Sequence, residues 1–305
     1  MNLTSSESAG SVNWKHSMET REHIFKIDPV RKLVQVLVFI ALLAIPFFTR
    51  NPLELPPSRI VLGHLPYPTV YPFSGDTWSL SIGDVSLLHP IAFAEVILSS
   101  KVIYLPVVIA VIIPLFMTIV LGRIFCSWLC PVGFLLELNQ KIHSFFKKIG
   151  IYHEIQFRDY RYFILFLSFI LTFFLAFPII SVFDPPHVLS REFMYFFSHH
   201  AISLGGAGLL LGIFVIETFS TSRIWCNSIC PSGGGLSLIG AKRLLNIKMD
   251  EKRCDICGQC NDVCPYYLKP MRLAEGERFD STKCDNCGLC RDVCPNGALS
   301  YKFGR

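Results

Sequence analysis

Long apolar runs alternate with short polar connections as far as Phe219, and nothing similar follows residue 250. Four runs stand out, at 33–48, 102–121, 162–183 and 202–219. Each approaches the roughly 20 residues that carry a helix across a bilayer. Arg31 and Lys32 stand before the first, where their side chains can snorkel. Pro106 and Pro114 lie in the second, and membrane helices tolerate proline. The pattern predicts a membrane α-helical fold with four transmembrane helices. Residues 1–29 lack the apolar core of a cleavable signal and read as a polar tail.

Lys and Arg in the connections set the expected orientation. The segment 122–161 carries Arg123, Lys141, Lys147, Lys148, Arg158 and Arg161, whereas 184–201 carries only Arg191. The 49–101 connection has Arg50, Arg59 and Lys101 against Glu54, Asp76, Asp84 and Glu95, and is dense in proline and aromatics over 65–73. By the positive-inside rule, both termini and 122–161 are cytoplasmic and 49–101 is an outer loop.

The chain also repeats itself. Arg123-Ile-Phe-Cys126-Ser-Trp-Leu-Cys130-Pro131 recurs as Arg223-Ile-Trp-Cys226-Asn-Ser-Ile-Cys230-Pro231, 100 residues later. Two helices precede each motif, so the copies run in the same direction and an axis along the membrane normal can relate them. After the first motif Leu135, Leu138, Ile142, Phe145, Phe146 and Ile149 fall near helical spacing, which predicts an amphipathic surface helix. Leu236, Ile239, Leu244 and Ile247, with Lys242, Arg243 and Lys248, form a glycine-loosened second version. Cysteines at i and i+4 share a helix face. Each pair can pack as small apolar residues, bind one metal or form a strained disulfide. Under twofold symmetry, Cys126, Cys130, Cys226 and Cys230 can instead converge as one redox or metal site.

From residue 254 the spacing becomes specific. Cys254-x2-Cys257-x2-Cys260-x3-Cys264-Pro265 is followed by Cys284-x2-Cys287-x2-Cys290-x3-Cys294-Pro295. This is the bacterial two-cluster ferredoxin arrangement, in which the fourth cysteine of each run ligates the other cluster. One [4Fe–4S] cluster is expected on Cys254, Cys257, Cys260 and Cys294, the second on Cys284, Cys287, Cys290 and Cys264. Structural zinc takes its cysteines in two separated pairs, and disulfides do not persist in the cytoplasm. Gly258 and Gly288 let the backbone approach the sulfides. The expected organisation is therefore a tail at 1–29, a four-span domain at 30–248, and an α+β ferredoxin-like domain with two clusters at 249–305.

Composition narrows the function further. The chain is 51% hydrophobic with 26 Phe, only 17% charged, and its net charge of +5 is spread rather than concentrated. That argues against a soluble enzyme, a secreted disulfide scaffold, a disordered chain and a nucleic-acid binder. None of the nine His lies inside a predicted span, so no haem is expected in the bundle.

The two Arg-x-[Phe/Trp]-Cys-x3-Cys-Pro motifs, the four runs and the paired ferredoxin runs together resemble the NapH family, over roughly residues 30–300. MauN-type ferredoxins share the layout. NosR-type and CcoG-type proteins resemble the membrane part but carry further domains. The NapH resemblance implies a quinol dehydrogenase subunit of the bacterial inner membrane, passing electrons through iron–sulfur clusters to a periplasmic reductase chain. Its implied partners are the quinone pool and a ferredoxin-like iron–sulfur subunit or multihaem cytochrome. Quinol oxidation releases protons, which makes Asp184, His187, Arg191, His199 and His200 quinol-site candidates. The stretch Asp184-Pro185…Arg191 is similar to an Asn-Pro…Arg stretch of that family. Glu217, the acid inside the fourth run, is a further candidate. Two other readings stay open: a metal (copper) reducing assembly factor related to CcoG, with metal on the repeated cysteine pairs, and a passive anchor for another iron–sulfur subunit.

Overall fold

The computed structural model describes residues 26–48, 73–75, 78–82, 85–149, 158–219, 223–276, 280 and 282–304. The tail at 1–25 and most of the expected outer loop, including Arg50, Glu54, Arg59, Asp76 and Asp84, lie outside the described residues.

The first helix, α1 (Asp28–Phe48), opens on an acid, which the helix dipole favours. Asp28 pairs with Arg31 at 2.5 Å and Lys32 at 2.6 Å, one turn on. A three-stranded antiparallel sheet follows: β1 (Phe73–Gly75), β2 (Ser79–Ile82) and β3 (Val85–Leu88). His89 caps α2 (Pro90–Ser100), its Nδ1 accepting from the Ile91 N–H, with Pro90 in the first turn. Then come α3 (Leu105–Leu121), the short α4 (Ile124–Trp128) and α5 (Pro131–Ile149). The second half holds α6 (Arg161–Leu175), α7 (Ile180–Phe183), α8 (Pro185–His199), α9 (Leu204–Phe219), a π turn at Trp225–Ile229, and α10 (Pro231–Ile239).

Among the described residues no helix is long and apolar enough to cross a membrane, which corrects the four-span expectation. Length is one cause. The helices α3, α6 and α9 have 17, 15 and 16 residues. At about 1.5 Å per residue they reach at most about 26 Å, short of a hydrocarbon core about 30 Å thick. The apolar run 162–183 is not one helix: Ala176 takes the left-handed conformation (φ 50°), Pro178 follows, and the remainder forms α7. Polarity is the second cause. At 21 residues α1 is long enough, but Asp28, Arg31, Lys32 and Gln35 occupy its first two turns. Two basic residues counted as loop charges are also structural. Arg123 and Arg161 are buried, and Arg161 pairs with Asp159 at 2.8 Å. The helices still leave wide apolar faces uncovered, with Phe116, Phe163, Phe174 and Leu211 exposed.

The two copies of the repeat pack against each other. The helix after the first motif, α5, lies against α9, which precedes the second motif; α10 lies mainly against α6 and also touches α3. Leu42, Val132, Leu136, Leu189 and Ile213 form the core on one side, and Trp78, Ile91, Ala92, Leu165 and Ile180 on the other. The expected second amphipathic helix is absent. Beyond α10 the chain makes a 3-10 turn at Gly240–Lys242, so Ile247 and Lys248 lie on β4 (Leu245–Met249) instead. Gly240 sits against Gly122, leaving no room for a side chain.

In the C-terminal module β4 pairs antiparallel with β5 (Leu299–Phe303), over short helices α11 (Gln259–Asp262) and α12 (Leu289–Val293). Asn286 docks it on the repeats, donating to Leu121 O at 2.8 Å, and also donates to Leu245 O of β4 at 3.2 Å. The Asp28 N–H also donates to Asp292 at 2.6 Å.

Candidate metal centres

Both cysteine runs fold the same way because the same two backbone positions turn left-handed. They are Ile256 and Gly258 in the first run, and Asn286 and Gly288 in the second. Left-handed backbone turns N–H groups inward, where they serve thiolates. Cys257 accepts from Gln259 N–H, Cys287 from Leu289 N–H, Cys264 from Tyr266 and Leu268 N–H, and Cys294 from Ala298 N–H at 3.3 Å.

The turns enclose two cavities. An outer one is lined by Cys254, Cys257, Cys260 and Cys294, together with Met249, Met271 and Leu299. An inner one is lined by Cys264, Cys284, Cys287 and Cys290, with Tyr266 and Asp285. Each cavity thus gathers three cysteines of one run and the fourth of the other. Cys257 is exposed, whereas Cys284 and Cys290 are buried. The donor set fits [4Fe–4S] clusters: four thiolates around an apolar pocket, with backbone N–H groups on the sulfurs. The Tyr266 hydroxyl is buried without a protein partner, which suits a wall facing acceptor sulfides.

The repeated motifs build a third locality. Cys130 and Cys230 are each followed by a helix-opening proline, and each Sγ accepts an N–H three residues on, Gly133 at 3.4 Å and Gly233 at 3.3 Å. The four thiols face one another closely enough to interact electrostatically, and Arg123 reaches the Cys126 thiol. No disulfide joins them. Among the described residues no three or more His, Cys, Asp or Glu are gathered tightly enough to hold one metal ion. The ferredoxin sets share that spacing, which is natural where each thiolate binds a different iron of one cluster.

Two quinol-site candidates meet this locality. Asp184 is fully buried, accepts from Trp78 Nε1 at 3.0 Å, and faces the Cys230 thiol at 3.7 Å. Burial pushes its carboxyl up to about 6, against the hydrogen bonds it receives. His187 packs against Trp78 in a tilted arrangement, ring centroids 4.9 Å apart. The other four candidates lie elsewhere. Arg191 is half-exposed beside Glu192, and His199 and His200 are exposed at the end of α8. Glu217 accepts from the Arg223 and Trp225 N–H groups at 2.6 and 2.8 Å, capping the second motif.

Sequence reasoning passed over Trp78, His89, Glu95 and Tyr266, which no motif marks. Glu95 is buried and accepts the Ile180 and Ser181 N–H groups at 2.6 and 3.3 Å. Gly133 and Gly233 were findable, since both copies continue as Cys-Pro-x-Gly. A Cβ at Gly133 would come within 2.8 Å of Cys126 O.

Comparison with known proteins points to iron–sulfur chemistry. Residues 103–150 and 204–248, which hold the two repeats, match a 4Fe-4S binding domain family; residues 277–300 match a second family of the same description. Ferredoxin-type protein NapH of Haemophilus influenzae is 31% identical over 208 residues, covering 66% of this chain and 68% of that protein. The chain belongs to the NapH family. Methylamine utilization ferredoxin-type protein MauN of Methylobacillus flagellatus is 30% identical over 145 residues, 47% of this chain and 48% of its own length. NapH of Escherichia coli is 26% identical over 192 residues, 61% of this chain and 63% of its own. The chain therefore spans about half of that MauN and under two thirds of the E. coli NapH. No solved structure matches. As a NapH-type chain with 4Fe-4S binding domains, this is an iron–sulfur electron-transfer protein.

Proposed function

We propose that the chain takes electrons from a quinol and passes them, through two [4Fe–4S] clusters, to a second redox protein. The observation that carries this is the sorting of eight cysteines into two four-cysteine cavities, the outer of which brings Cys257 to the surface. When bound, the clusters supply reversible one-electron storage. The chain's own residues hold them: Cys254, Cys257, Cys260 and Cys294 at the outer site, and Cys264, Cys284, Cys287 and Cys290 at the inner. We assign the four thiols of the repeats to a further redox centre, with Asp184 and His187 beside it to take the protons that quinol oxidation releases. The exposed apolar helix faces support work at the cytoplasmic membrane, where quinol is found. A ferredoxin-like iron–sulfur subunit or multihaem cytochrome of a periplasmic reductase chain is the proposed acceptor.

Anaerobic EPR of the purified protein, before and after adding a reduced menaquinone analogue, tests this reading. Reduced-cluster signals on quinol addition are expected. Signals with dithionite but none with quinol would overturn the quinol step and turn attention to copper on Cys126, Cys130, Cys226 and Cys230.

A further inference from the structure

The two cluster sites stand in different electrostatic surroundings, and the repeats create the difference. Tyr266 lines the inner cavity and is buried. Two guanidinium groups lie against its ring, Arg123 at 5.4 Å and Arg223 at 5.9 Å from the centroid. These are the first residues of the two motif copies, so one position of the repeat reaches the same aromatic ring twice. Arg123 also donates to Thr282 O and Lys283 O, each at 3.4 Å, just ahead of Cys284. A third buried arginine, Arg243, donates to Cys284 O at 2.5 Å. The acids facing this group are Asp285, Glu137 and Glu217, and Glu217 is held by the Arg223 and Trp225 N–H groups. Asp285 lines the same cavity, and Glu137 lies 3.7 Å from Arg223 but also binds Arg31. The outer cavity has one charged lining residue, Asp255. Nearby Asp250 and Arg253 pair at 3.5 Å on the exposed surface, where water screens them.

Buried cations are costly, and the Nε atoms of Arg123 and Arg223 have no hydrogen-bond partner. A cluster's potential follows its net charge, its hydrogen bonds and its exposure. Burial alone lowers the potential of the inner site, because the reduced state carries the greater negative charge. Fixed positive charge opposes that, and acts strongly where water is excluded.

We propose that Arg123 and Arg223, braced on Tyr266, are positioning residues that raise the reduction potential of the inner cluster above that of the outer one. Reducing equivalents then collect beside the four thiols of the repeats. The proposal rests on the two-cluster reading above. The change it concerns is one electron gained at the inner site, with no bond broken and no proton moved.

An EPR-monitored redox titration of the full-length protein tests it, with dithionite as reductant and C257S and C287S identifying the outer and inner signals. In the wild type the inner signal is expected to appear first as the potential falls. In R223Q and R123Q, the reduced-to-oxidised ratio of the inner site at the wild-type midpoint should drop roughly tenfold, about 59 mV for one electron. The outer midpoint should stay in place, R223K should remain near wild type, and R253Q should leave the inner site unmoved. An unchanged inner midpoint in R223Q with full iron content would overturn the proposal. Earlier reduction of the outer site in the wild type would do the same, even if the glutamine variants failed to assemble. Failure of the two-cluster reading would show separately, as a wild type lacking the second signal.

Discussion

Glu95 shows what a single residue can hide from sequence reading. It counted as one acid of an outer loop, yet it is buried under α7 and holds that helix's first N–H groups. Burial pushes its carboxyl from 4.5 up to about 7, with His187 drawing it down and Asp184 pushing it further up. Between those values the folded chain keeps the proton and the unfolded chain has lost it, so stability is highest below about 4.5, declines towards 7 and levels off above. The loss is on the order of 3 kcal/mol. Thermal midpoints of the wild type should therefore fall relative to Glu95→Gln between pH 5 and 8; parallel curves would contradict this. The cluster cysteines, by contrast, were legible residue by residue. A thiolate triple with a fourth cysteine before proline serves little other chemistry, and the cavities group those same residues. Tyr266 was not legible, because its role depends on two arginines over 40 positions away in the chain.

At the scale of elements, apolar runs located the helices but not their nature. Helices α3 and α9 fall within the predicted runs and α6 begins one residue before its own, yet the proline in the first turn of α3 and the left-handed cap that ends α6 do not register in hydropathy. Of the arginines that suggested an orientation, Arg123 and Arg161 are buried, and Arg161 is paired with Asp159. Glycines mark where elements touch. A Cβ on Gly240 would lie 2.8 Å from Gly122 Cα and 3.2 Å from Thr118 O, both backbone atoms that cannot swing away. Gly240→Ala should cost roughly 1–3 kcal/mol. Denaturant unfolding would measure it, and a midpoint equal to the wild type would mean that the contact between α3 and the Gly240–Lys242 turn is loose.

Over the whole molecule, the repeat and the module make one electron-handling body. Packing of α5 on α9, and of α10 on α6 and α3, holds the copies together, and the arginines that open each motif reach Tyr266 in the wall of the inner cavity. The repeat was visible in the sequence; its convergence on Tyr266 needed three dimensions. On the proposed ligand sets, each cluster takes its fourth cysteine from the other run. Cys294→Ser tests it most directly, through iron content and the reduced EPR spectrum under anaerobic conditions. The wild type should hold at least about eight iron atoms per chain, and the Cys294→Ser spectrum should match that of Cys257→Ser. A spectrum matching Cys287→Ser instead would place Cys294 with its own run and contradict the account.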